Sequence, residues 1–112
     1  MSRWLSRLFP SRPKVGPAQA RDLQAQGAIL LDVREDAEWR AGHAPKARHI
    51  PLRRLPARLR EVPANRTVIT ACRSGHSPGD GRDVLNLAGG MHAWARAGLP
   101  VVASGGTPGR VA

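Results

Sequence analysis

The chain has 112 residues, 41% hydrophobic and 23% charged, ordinary usage for a single globular domain, which excludes general disorder. No apolar run approaches the ~20 residues of a membrane-spanning helix, and the lone cysteine, Cys72, excludes an internal disulfide, a cysteine-pair zinc site and an intramolecular resolving thiol. Lysine and arginine outnumber aspartate and glutamate 18 to 8, for a formal charge of +10; such a balance attracts nucleic acid, anionic lipid or small anionic substrates, and the arginine bias of a GC-rich genome accounts for it equally well.

Residues 1–17 read as a basic, flexible leader. Arg3, Arg7, Arg12 and Lys14 face no acid, and Pro10, Pro13, Gly16 and Pro17 break any helix beyond Phe9. Trp4, Leu5, Leu8 and Phe9 share one helical arc, so residues 2–9 could touch an anionic membrane, but two turns are marginal alone and a frayed leader is favoured. The apolar stretch is too short for a secretory signal. The single free thiol suits a reducing compartment, and the expected location is cytoplasmic.

From Ala18 the pattern is regular. Residues 18–26 read as a helix stopped by Gly27, and residues 28–33 as a buried strand. Residues 36–41 form a short helix stopped by Gly42, and residues 48–50 a short strand before Pro51. Leu52, Leu55, Leu59 and Val62 fall at helical spacing, with Pro56 suited to a first turn. Residues 67–71 are a β-branched strand, residues 84–87 another, and residues 91–97 a helix ending at Gly98-Leu99-Pro100. Residues 103–112 read as a flexible tail, which leaves residues 18–102 as the folded domain. Strands alternating with helices predict an α/β domain with a mainly parallel sheet.

One constellation carries chemistry: Cys72-Arg73-Ser74-Gly75-His76-Ser77, directly after the strand 67–71. Ligands of such sheets sit beyond the carboxyl ends of strands. A loop wrapping there converges its backbone N–H groups into an anion nest, and with Arg73 these favour a thiolate or a persulfide. Gly75 permits the positive φ that such a wrap requires. The competing reading, a buried inert cysteine, fits poorly with five polar or glycine neighbours.

Four segments resemble the rhodanese-like domains, a family of single-domain sulfurtransferases. They are Leu30-Leu31-Asp32-Val33-Arg34-Glu35; Trp39 with Gly42-His43-Ala44-Pro45-Lys46-Ala47 and His49-Ile50-Pro51; Cys72-Arg73-Ser74-Gly75; and Asn86-Leu87-Ala88-Gly89-Gly90-Met91-His92-Ala93-Trp94 followed by Gly98-Leu99-Pro100-Val101. The resemblance implies a three-layer domain around a five-stranded parallel sheet. It implies transfer of a sulfane sulfur from a small anionic donor such as thiosulfate, through a persulfide on Cys72, to cyanide or a thiol acceptor that a protein can supply. No cofactor and no metal are implied.

Two departures stand out. The family commonly has an arginine five residues after the cysteine, where this chain has Ser77. The family also places a helix after the loop, whereas here only residues 73–82 lead to the next strand, with Gly75, Pro78, Gly79 and Gly81 among them. A parallel crossover normally takes about a dozen residues or more, so one crossover helix is expected to be missing and the sheet face near Ile69 and Leu85 to lie bare. These departures support the alternative of a catalytically degenerate module that binds a partner or regulates. A cysteine phosphatase is excluded by Pro78 at the position of its phosphate-clamping arginine.

Among single residues, Asp32 either orients the loop or accepts a turn hydrogen bond. Arg34 is expected to support the site by pairing with Glu35 or Glu38, and His43 to cap or pack. His76 either binds anions when protonated or stands idle. Residues 40–60 carry Arg40, Lys46, Arg48, Arg53, Arg54, Arg58 and Arg60 with no acid among them, either an electrostatic guide or a solvated face. Nucleic acid is an improbable partner, because no aromatic side chain interleaves that stretch.

Overall fold

A computed structural model describes residues 14–72 and 84–111. Five parallel strands form one sheet: β1 (Lys14–Val15), β2 (Ile29–Asp32), β3 (Arg48–His49), β4 (Val68–Ala71) and β5 (Val84–Leu87), in the order β1-β5-β4-β2-β3. The helices are α1 (Pro17–Ala25), α2 (Asp36–Ala41), α3 (Leu55–Arg58) and α4 (Gly90–Arg96). Strands β2 and β4 are buried at every position. Their near-continuous apolar sequence is what a parallel strand covered on both faces requires.

The register fixes two faces. Leu30, Ile69 and Leu85 lie side by side, as do Ile29, Val68 and Val84. The first set joins Val15, Ala20, Ala71, Leu87, Met91 and Trp94 in a cluster under α1 and α4. The second joins Leu31, Val33, Ile50 and Val62, with Leu52, Leu55 and Cys72 packed against it. The expected bare face near Ile69 is therefore corrected: Ile69 is fully buried and Leu85 packs on the same cluster. The segment 73–83, where the missing helix was expected, lies outside the described residues.

Local chemistry sets the element boundaries. Pro17 enters α1 at its first turn, where its missing N–H costs nothing, and Gly27 leaves it at φ 107°. Helix α2 starts in a capping box formed by Glu35 and Glu38. Gly42 ends α2 in extended backbone, and its role is spatial: a Cβ there would collide with the backbone of Arg110. The single helix expected over residues 52–62 is broken into a 3₁₀ turn (Leu52–Arg54), α3 and a second 3₁₀ turn (Leu59–Glu61). Pro56 cannot donate to the carbonyl of Leu52, so the helix restarts at Leu55 with Pro56 in its first turn.

The ends of the domain reach further than the sequence pattern indicates. Lys14–Val15, placed in the leader, pair with Asn86–Leu87 as an edge strand. Residues 103–111, expected to be a loose tail, fold back. Val102 and His43 exchange hydrogen bonds of 2.8 and 2.9 Å, the Arg110 N–H donates to Ala41 at 2.9 Å, and Val111 packs on the first cluster. Among the described residues no helix is long and apolar enough to cross a membrane.

Candidate functional site

Cys72 follows directly on β4, the middle strand of the sheet, at its carboxyl end. It is half-buried, and its side chain packs against the second cluster. Its carbonyl accepts the N–H of Met91 at 2.8 Å. That bond satisfies one of the unpaired N–H groups at the start of α4 and ties the cysteine backbone to it. The proposed anion-holding residues Arg73, Ser74, Gly75, His76 and Ser77 lie outside the described residues.

Asp32 ends the neighbouring strand β2 and faces Arg34. The Arg34 Nε donates to Asp32 Oδ1 at 3.0 Å and Nη2 to Oδ2 at 2.7 Å, while the Arg34 backbone N–H adds a third contact to Oδ1 at 3.0 Å. Both side chains are 1% exposed. Nη2 also donates to the carbonyl of Gly42 at 2.6 Å, which clamps the strand end to the end of α2. The expected partners of Arg34, Glu35 and Glu38, are corrected by this geometry: the carboxylate two residues earlier lies on the same side of the extended chain, whereas Glu35 turns outward to Arg53 at 2.6 Å. Breaking a buried pair of this kind costs about 3–5 kcal/mol, since it strands the other charge.

His43 packs, as one of its expected roles. Its ring stacks on Trp39 with centroids 3.5 Å apart, and Nδ1 lies 2.6 Å from the Trp39 carbonyl. His49 stacks on the same indole at 4.7 Å, with Nε2 2.8 Å from the Arg34 carbonyl. The spacing of Trp39 and His43 is the (i, i+4) spacing of a helix edge and so was visible in the sequence; the arrival of His49 from β3 was not. A second feature without a sequence signal is the buried pair in which the Thr70 hydroxyl donates to Asn86 Oδ1 at 2.6 Å, two residues before Cys72.

The basic stretch 40–60 is less bare than its sequence. Arg54 faces Asp36 at 3.8 Å and Arg58 pairs with Glu61 at 2.8 Å, while Arg53 takes Glu35. Acids at the start of α2, Glu35 at its cap and Asp36 in its first turn, and Glu61 just beyond the stretch thus neutralise its middle. The Arg58 hydrogen bond holds the Glu61 carboxyl below the usual carboxylate range, and Glu61 in turn raises Arg58.

The rhodanese-like domain family model matches residues 16–97. A protein named sulfurtransferase from Allochromatium vinosum is 42% identical over 91 residues, covering 72% of this chain and 84% of that protein. An HTH-type transcriptional regulator of Mycobacterium tuberculosis is 36% identical over 91 residues, and the match spans only 40% of its length. Among solved structures, a rhodanese-related protein from Thermoplasma volcanium superimposes with a TM-score of 0.70 at 20% identity, covering 81% of this chain and 98% of that one.

Proposed function

Since the chain belongs to the rhodanese-like domain family, we propose that it is a sulfurtransferase that carries sulfane sulfur as a persulfide on Cys72. The thiolate of Cys72 attacks the outer sulfur of an anionic donor such as thiosulfate. The donor's S–S bond breaks and sulfite departs with the electron pair. A thiolate or cyanide then attacks the terminal sulfur, and Cys72 leaves as thiolate. Sulfur moves as a neutral atom, so no external oxidant or reductant is needed.

The observation that carries this reading is the position of Cys72 beyond the central parallel strand, half-buried, with its backbone held by the first turn of α4. In this reading the backbone amides of residues 73–77 donate hydrogen bonds to the anionic sulfur. Asp32 and Arg34 are positioning residues: they clamp the end of β2, the strand paired with the one that delivers Cys72, to the end of α2. The positive surface raises the local concentration of the anionic donor. The acceptor is a thiol in a reducing compartment, free or on a partner protein.

The regulator relative and the short segment 73–82 favour a second reading, a module that binds a partner without turnover. Thiosulfate-to-cyanide transfer separates the two. The first reading expects thiocyanate formation that vanishes in Cys72→Ser and a KM that rises with ionic strength. A cooperatively folded protein with no turnover supports the second.

A further inference from the structure

On the sheet face opposite Cys72, the structure holds a cleft of about 300 Å³ between α1, the turn after α2 and the end of α4. Arg21 and Lys46 line it, and among the described residues no carboxylate does. Its remaining wall is largely apolar, from Pro45, Pro100 and Trp94. The wall is preformed. The Gln24 amide donates to the Pro45 carbonyl at 3.0 Å, and the Trp94 indole N–H donates to the Pro100 carbonyl at 2.8 Å.

Lys46 supplies a second, independent observation. It is the one non-glycine among the described residues with positive φ, at 65°. This left-handed backbone costs an L residue free energy that glycine would not incur. The backbone of Lys46 belongs to the turn closed by the Ala47 N–H on the Ala44 carbonyl at 3.3 Å, and its exposed side chain makes no ion pair with a described residue, which leaves the ammonium at the mouth of the cleft for a ligand.

We propose that this cleft binds a small organic oxyanion, an acid head of phosphate or carboxylate type on a compact apolar body. The head lies between Arg21, whose planar guanidinium suits two oxygens at once, and the ammonium of Lys46. The body lies along Pro45, Pro100 and the edge of Trp94. The volume suits a ligand at the small end of the usual range. The site is separate from sulfur transfer at Cys72.

Phenyl phosphate tests the idea on the full chain, with the Trp94 indole N–H and the Lys46 amide followed by NMR. The expected result is a saturable shift at both. The Kd should rise roughly tenfold in Arg21→Gln and again in Lys46→Gly, the loss of one charge-assisted contact each. Lys46→Gly should melt no lower than the parent chain, since it relieves the left-handed lysine; weaker binding in a protein of undiminished stability separates a ligand contact from a structural role. Inorganic phosphate, lacking the body, should bind severalfold more weakly. Absence of a saturable shift, a Kd unchanged in both variants, or equal affinity for inorganic phosphate would each overturn the assignment.

Discussion

The two faces of the sheet are covered in different ways. Under α1 and α4 lie the largest fully buried side chains among the described residues, Trp94, Met91, Leu30, Ile69 and Leu87. The opposite face is lined mostly by valine and isoleucine, and the segment over it, residues 52–61, contributes no fully buried residue of its own. Cys72 packs on this thinner side. One face buries the bulkiest part of the core, and the other leaves Cys72 half-buried, as the proposed exchange with a donor and then an acceptor requires. A thiol buried as deeply as Ile69 could meet neither donor nor acceptor.

Substitutions that cut into each face sharpen this contrast. Trp94→Ala removes the largest buried side chain and should cost about 3–5 kcal/mol, lowering the thermal midpoint by well over ten degrees for a domain of this size. A loss below about 1 kcal/mol would mean that α4 is not the anchor of that face. Leu55→Ala, half-buried on the thin side, should cost about 1–2 kcal/mol by partial loss of the same transfer free energy, with sulfur uptake by the folded fraction retained. If it proves as damaging as Trp94→Ala, the two faces do not differ as described.

The exposed ion pairs over the thin face should matter less. Arg53 and Glu35 are each more than half exposed, and Arg53→Gln should change unfolding free energy in urea by less than about 1 kcal/mol. The smallest effect belongs to Glu61. Its folded pKa is lowered, first by the hydrogen bond from Arg58, so its stabilising contribution is present above the ordinary glutamate range and is lost as pH falls through the lowered value. Thermal midpoints of the parent chain and Glu61→Gln should converge at acid pH and differ slightly at neutral pH, less so in high salt. A gap that widens on acidification would contradict the sign.

Much of this architecture was legible in the chain. Residues 28–33 and 67–71 announce buried parallel strands because both faces demand apolar side chains, and residues 36–41 carry their cap and their stop. Lys14–Val15 do not announce themselves: two residues among prolines have no periodicity, and only the edge of β5 makes them a strand. The folded tail depends on Gly42 admitting the backbone of Arg110, a contact between residues far apart in sequence. The partner of Arg34 was within reach of a local rule, since residues two apart in an extended chain share a side; the helical neighbours Glu35 and Glu38 were the wrong geometry to apply at a strand end. The position of Cys72 followed from the strand before it, while its tie to Met91 depends on how β5 returns α4 to the same end of the sheet.

The most direct test of the central claim is intact mass spectrometry of the full chain after incubation with thiosulfate, beside Cys72→Ser. The expected result is a gain of one sulfur atom that cyanide removes and that the serine variant never shows. A protein that unfolds cooperatively yet gains no sulfur, or a gain that persists without Cys72, would contradict persulfide chemistry at this cysteine.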